Sequence, residues 1–459
     1  MSRFVALLLT LSAVSVAHAG GDDLYVSTLG DDTSNDCRTI TAPCRTIGHG
    51  IASAADEDSV LVAAGTYEEA VVVSNPPEVA VVAGYDETFA TRQDGVTFWQ
   101  SKNTRPLTFL ADGDTDASIT VHGVTFARSS QKPDLTVQSD YGGAILLRAI
   151  NSSQVGLFLR NVVMSGNKAA VGGAIAVLSE SGSSATIDVT QSTFTRNKAE
   201  ACGAIYVDSI DAPPANVNVS NSSFEKNKGT FQGGAMCLIV TDETNTETTQ
   251  RLSRNVFTKN RGITGGAVLA LVVDGGHLDL GVYNSVFVKN KSQLGGAIAA
   301  IAVPGEAAVP AGIDLVTIHN TINANKASIY GAGTFVASSR QDGDGSDDST
   351  VVHDSTNDIY FGNKGAAEAT LFEDLGTSAT MNRQYGIFGT VELVFGTLND
   401  GDGVQVAADP LFVKSGQDVN LQSGSPAIDA GTCVTESLFD VEGDSRPNGP
   451  TCDIGAIEF

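Results

Sequence analysis

From about residue 140 to 365, apolar and polar residues alternate in short runs rich in β-branched side chains, as in Thr186-Ile187-Asp188-Val189 and Val217-Asn218-Val219. A two-residue period marks strands with one face turned to a core. The i, i+3, i+4 spacing of amphipathic helices is weak.

The strands are punctuated by a phrase in two parts. The first part reads Phe194-x-x-Asn197-Lys198, Phe224-x-x-Asn227-Lys228, Phe257-x-x-Asn260-Arg261 and Phe287-x-x-Asn290-Lys291, with Met164, Ile322 and Tyr360 opening further copies. The second follows each Asn by five or six residues. It reads Gly172-Gly173-Ala174-Ile175, Gly233-Gly234-Ala235-Met236, Gly265-Gly266-Ala267-Val268 and Gly295-Gly296-Ala297-Ile298, with Cys202 in place of the first Gly before Gly203-Ala204-Ile205. A repeat of about thirty residues signals a solenoid or propeller. Regular Leu positions and blade-length spacing are missing, so the pattern predicts an all-β, single-stranded right-handed parallel β-helix of about ten or more coils.

Stacked coils bring like residues into columns. Phe194, Phe224, Phe257 and Phe287 are expected to fill the lumen. Asn197, Asn227, Asn260 and Asn290 are expected at left-handed corners, their amides bonding from coil to coil. The Gly pair permits backbone angles and close approaches closed to other residues, and the Lys after each Asn points to water.

The paired G-G-A-I and F-x-x-N motifs resemble the repeats of polymorphic outer-membrane proteins, whose passengers are β-helices; the barrel that anchors that family has no counterpart in this chain. Residues 20–70, with Leu24-Tyr25-Val26-Ser27 and a short helix at about Ile47 to Ala55, resemble the entry cap of pectin-lyase-like β-helices. Residues 71–400 would then be the β-helix proper. Residues 401–459 carry Ala408-Asp409-Pro410-Leu411-Phe412, Ser425-Pro426-Ala427-Ile428-Asp429-Ala430-Gly431, Asp440-Val441-Glu442-Gly443-Asp444-Ser445-Arg446-Pro447 and Asp453-Ile454-Gly455-Ala456-Ile457. They resemble the terminal module of secreted bacterial β-helix proteins of the choice-of-anchor Q type, and are expected to form a C-terminal cap. With the chain stopping at Phe459, release is expected over anchoring.

The first 19 residues run from Arg3 through an apolar stretch to Ala17-His18-Ala19, the order of a secretory signal peptide. Six cysteines in an exported chain point to disulfides. Cys37–Cys44 and Cys433–Cys452 close short loops, whereas Cys202 and Cys237 fit a bridge and two buried thiols equally. The formal net charge of −26 excludes nucleic acid and anionic membrane as partners. No apolar segment of the mature chain is long enough for a spanning helix.

Catalytic signals are sparse. Gly48-His49-Gly50 matches the G-H-G of polygalacturonases, but the accompanying carboxylates and the basic Arg-Ile-Lys are missing. The outward carboxylates Glu180, Asp208 and Asp211 share no repeat position, and His122, His277, His319 and His353 show no ligand spacing. Asp342, Asp344, Ser346 and Asp348 alternate with Gly as calcium ligands do; a solvated insertion loop is the preferred reading, with calcium the alternative and no other cofactor expected. The sequence therefore describes a monomeric, exported, non-catalytic scaffold presenting loops to an extracellular glycan or a surface protein. The rival is a polysaccharide lyase or glycoside hydrolase.

Overall fold

The structure is a computed structural model describing residues 21–75, 77–130, 140–213, 215–241, 249–304, 311–339, 349–374 and 377–459. The first 19 residues, expected to be a signal peptide, and the Asp342–Asp348 cluster lie outside the described residues. Each coil supplies one strand to each of three sheets of 13, 12 and 11 strands, stacked in sequence order. The 13-stranded sheet runs from Asp23–Val26 to Thr397–Asp400, the 12-stranded from Gly65–Glu68 to Gln405–Val406 and the 11-stranded from Val71–Ser74 to Val391–Val394. Within all three sheets the pairing is parallel, as in a parallel β-helix.

Alternation decides which side chains enter the lumen. In Ser184–Thr190 the residues Ala185, Ile187 and Val189 are buried and their neighbours half-buried. On the short strands of the 12-stranded sheet only the central residue points inward. Register therefore stacks Trp99, Phe126, Met164, Phe194, Phe224, Phe257, Phe287, Ile322 and Tyr360 in one column. The rings of Phe194, Phe224, Phe257 and Phe287 lie 4.7–4.8 Å apart and within 10° of parallel. That distance is the strand spacing, so backbone register, not ring electrostatics, sets the arrangement. The column begins at Tyr67, the register partner of Trp99, three coils before Met164 opens the first copy of the repeat.

Beside it runs a column of buried asparagines. Asn227 Oδ1 accepts from the backbone N–H of Asn197 at 3.0 Å and from its Nδ2 at 3.0 Å. Asn227 Nδ2 donates to Phe194 O at 2.9 Å and to Asn260 Oδ1 at 3.0 Å. Every donor and acceptor of the amide is used. The same pattern runs from Asn167 to Asn363. The left-handed residue of this corner is not the asparagine, as the sequence suggests, but the one before it: Gly166, Arg196, Lys226, Lys259, Lys289, Ala324 and Gly362 all have φ between 54° and 67°. The preceding residue turns the chain, which frees the Asn side chain to point inward.

A second ladder stands one corner earlier. Ser192 N–H donates to Ser222 Oγ, Ser222 N–H to Asn255 Oδ1, Asn255 N–H to Ser285 Oγ, Ser285 N–H to Asn320 Oδ1 and Asn320 N–H to Asp358 Oδ1. Here too the preceding residues, Gln191, Asn221, Arg254, Asn284, His319 and Asn357, are left-handed.

The two glycines of the pair have different jobs. The first is left-handed at Gly172, Gly265 and Gly295, and Cys202 takes that conformation at φ 58°. At the second, a Cβ on Gly173, Gly203, Gly234 or Gly266 would sit 2.0–2.3 Å from a carbonyl oxygen of the next coil. Single copies depart at either slot: Cys202, bonded to Cys237 of the next coil, takes the first, and Ala332, opposite Gly296, takes the second. Cys37–Cys44 and Cys433–Cys452 are bonded as well.

At the N-terminal end the helix Ile47–Ser53 turns Ile47, Gly50 and Ile51 inward. A Cβ on Gly50 would meet Val26 and Val60 at 2.8 Å, so the glycine lets the helix sit close over the first coils. The Glu69 carboxylate accepts from the backbone N–H groups of Ile47 and Gly48, at 2.8 and 2.9 Å. These are donors that a helix start leaves without intrahelical partners.

The C-terminal segment doubles back along the flank. It covers the outer face of the 12-stranded sheet with Phe412, Val419, Leu421, Ala427, Ile454, Ala456 and Ile457, packed on Val286, Val288, Ile359 and Ile387. Polar contacts reach back to Asn284, whose Oδ1 accepts from Ser437 Oγ at 2.8 Å, and to Arg251, whose Nη2 donates to Glu436 O at 3.2 Å. Outward residues of the short strands change accordingly, from Thr193, Thr195, Ser223 and Glu225 to Val256, Val286, Val288, Ile359 and Phe361, while Thr321 and Asn323 between them bond to the segment through Ala456 N–H and Ser415. An Arg446–Glu458 ion pair, at 2.6 Å and 1% exposed on both sides, ties the segment to itself.

Asn227→Leu removes four hydrogen bonds and strands buried donors on Asn197, at about 1–3 kcal/mol per unsatisfied group. We expect a loss of at least about 3 kcal/mol by urea unfolding, against less than about 0.5 kcal/mol for the half-exposed Thr195→Ala. Removing the Cys202–Cys237 bridge, which spans 35 residues, should cost about 3–4 kcal/mol. Because Gly suits the left-handed slot, Cys202→Gly/Cys237→Ala should melt above Cys202→Ala/Cys237→Ala, a difference of about 1 kcal/mol.

Candidate functional site

Side chains pointing outward from the 11-stranded sheet form two columns. Leu146, Ala176, Tyr206, Cys237, Leu269, Ala299 and Phe335 make the first, an apolar stripe roofed by corner residues such as Ala170, Val171 and Cys202. The second is apolar downstream, at Ile239, Leu271 and Ile301, and mixed upstream, where Arg148 and Asp208 flank Leu178 in register. Glu180, two residues beyond Leu178, completes an acid–base cluster at this end.

Arg148 grips Glu180 with two bonds, Nε to Oε1 at 2.8 Å and Nη2 to Oε2 at 2.9 Å, the bidentate geometry of a strong pair. This contact raises the Arg148 pKa above its ordinary value. The Tyr206 hydroxyl donates to Asp208 Oδ2 at 2.6 Å. Asp208 is only 8% exposed, and among the described residues its Oδ1 has no hydrogen-bond partner. Burial first, and the Glu180 charge second, push the Asp208 carboxyl up to about 6 against the pull of the tyrosine bond. Burial and the Asp208 charge raise Tyr206 as well. Tyr141 packs edge-on against Tyr206, with centroids 6.1 Å apart. The cluster thus offers a bidentate ion pair, a carboxyl raised by burial above the ordinary carboxylate range and two phenols, donors and acceptors suited to a ligand rich in hydroxyls.

Of the sequence candidates, the fold brings Glu180 and Asp208 together and leaves Asp211 on an exposed turn. His49 sits in the helix over the first coils, its Nε2 2.8 Å from Asn35 O, a structural contact. His122, His319 and His353 are buried. Burial lowers His122 to about 4 and His319 and His353 to about 3. His353 lies in the lumen within 2.9 Å of the Thr317 hydroxyl, which donates to Asp358 at 2.5 Å. These residue types recur in hydrolases, but here all three are fully buried and Asp358 terminates the second ladder.

A cleft of about 430 Å³ opens at the far end of the 13-stranded sheet, lined by Asp354, Asn382, Arg383, Asn399 and Asp400 among others. Arg383 is held bidentate by Asp400 at 2.7 and 2.8 Å and lies over the Phe388 ring at 4.7 Å.

Residue-type reading missed the second ladder and the upstream aromatics. Its signal was available: Ser or Asn stands two residues before each aromatic, at Ser192, Ser222, Asn255 and Ser285.

Asp208 binds its proton more tightly folded than unfolded, so between about pH 4 and 6 the native state holds more protons and stability falls as pH rises. Asp358, also pushed up to about 6, adds to the same slope. Asp208→Asn should flatten that fall by up to about 2–3 kcal/mol, measured as urea unfolding at pH 4 and 7.

No family model and no curated protein matches the chain. Among solved structures, one titled "The complex structure of XylC with xylose" aligns over 95% of this chain and 98% of that one, with a TM-score of 0.43 and 9% sequence identity.

Proposed function

We propose that the protein is an exported β-helical scaffold that holds an extracellular glycan or surface protein on its outer faces without cleaving it. The observation that carries this reading is the state of the arginines at the two candidate sites: Arg148, at the polar cluster, and the nearly buried Arg383, in the cleft, are each held bidentate by a carboxylate. A lyase needs a free base, and a glycosidase needs two carboxyls with divided roles. Three disulfides fit an oxidising compartment, and no helix among the described residues is long and apolar enough to cross a membrane. The C-terminal segment, which resembles the choice-of-anchor Q module, serves in this reading to stiffen the flank.

One observation favours the rival reading. Asp208, with its carboxyl raised to about 6 next to Glu180, has the environment of a general acid.

Incubation with pectin, alginate and neutral glucans separates the two. A scaffold leaves reducing ends and unsaturated products at background while the protein is retained on at least one polysaccharide, and Arg148→Ala weakens retention severalfold. New reducing ends that vanish in Asp208→Asn would replace this reading with the hydrolase.

A further inference from the structure

The 13-stranded sheet carries His277 and Asp279 on one strand, Gly276–Tyr283, and Asp314 on the next, Ala311–Ile318. His277 and Asp279 are two residues apart and share the outer face; Asp279 and Asp314 are register partners. Like charges directly opposite on neighbouring strands repel, and among the described residues neither carboxylate has a Lys or Arg within 4.0 Å. Both face the imidazole instead: His277 Nε2 is 3.1 Å from Asp279 Oδ1 and 3.4 Å from Asp314 Oδ2.

From these distances we propose that His277, Asp279 and Asp314 form a binding site for a divalent transition-metal ion of the Zn²⁺ type. Zinc bonds to His nitrogen and carboxylate oxygen at about 2.0–2.2 Å, which sets neighbouring ligands of a tetrahedral site about 3.3 Å apart. The three ligand atoms all lie within 4.8 Å of one another. One nitrogen and two oxygens from three side chains leave a fourth position for water, and the mixed set favours zinc over calcium, which takes six or more oxygens.

The neighbouring backbone is shaped to fit. Gly312 is the register partner of His277, and a Cβ there would sit 2.4 Å from His277 Nδ1. Any other residue at 312 would push the ring from its place beside the carboxylates. Arg251, on the neighbouring strand of the same sheet, is committed elsewhere, 4.2 Å over the Tyr283 ring.

Calorimetric titration of the metal-free protein with Zn²⁺ tests the site. The proposal expects binding of one ion per chain, weakened at least tenfold in both His277→Gln and Asp314→Asn and little affected by millimolar Ca²⁺. Co²⁺ added to the unmodified protein should give a d–d absorption band, a readout independent of how the variants fold. Absence of saturable Zn²⁺ binding and of the cobalt band, or binding unchanged in either variant, would reduce the three side chains to an ion-pair cluster and overturn the proposal.

Discussion

Two corner columns of polar side chains, buried where no water can reach, set the terms for the rest of this molecule. Parallel strands stacked in register repeat about every 4.8 Å, and at each corner the backbone leaves the sheets with N–H groups still to be satisfied. The asparagine column answers with a chain of amides in which each Oδ1 accepts twice and each Nδ2 donates twice. An amide bonded above and below ties one coil to the next independently of the sheets, and aligned dipoles in a dry interior strengthen one another.

The other regularities follow from feeding that column. Its side chains must point inward, so the turn falls on the preceding residue, which is left-handed even when it is Arg or Lys. Exact register then superimposes the inward residue of every short strand, producing the aromatic stack whether or not stacked rings are the favoured geometry. Close approach of the backbones crowds a Cβ at either glycine, and single copies give way only to Cys202 at the first position and Ala332 at the second. The flank follows a different logic: where the C-terminal segment returns, outward Thr, Ser and Glu of the short strands give way to Val, Ile and Phe, or to the polar Thr321 and Asn323 that bond to the segment.

Repeated features were therefore legible in the chain. Phe194, Asn197 and the glycine pair recur in phase, and a period shared by several copies implies a stacked architecture. Less of the surface was legible, because outward positions carry no period. Glu180 and Asp208 occupy unrelated places in their repeats, yet lie on adjoining strands close enough for one charge to perturb the other. His277 and Asp314 are likewise joined only through strand register. The burial of His319 and His353 went unread for different reasons: His319 is a corner residue covered by the returning C-terminal segment, whereas His353 turns into a polar stretch of lumen that departs from the apolar pattern upstream.

Function in such a molecule belongs to outward residues held by a rigid interior, so the account stands on the interior being as tightly bonded as its geometry implies. Hydrogen exchange of asparagine side-chain amides, followed by NMR on protein labelled with ¹⁵N-asparagine, reads that bonding directly. The Nδ2 protons of Asn197, Asn227, Asn260 and Asn290 should persist as long as the backbone amides of the central strands, far outlasting those of the exposed Asn103. Exchange of the four at the rate of Asn103 would contradict a structure built on the amide ladder.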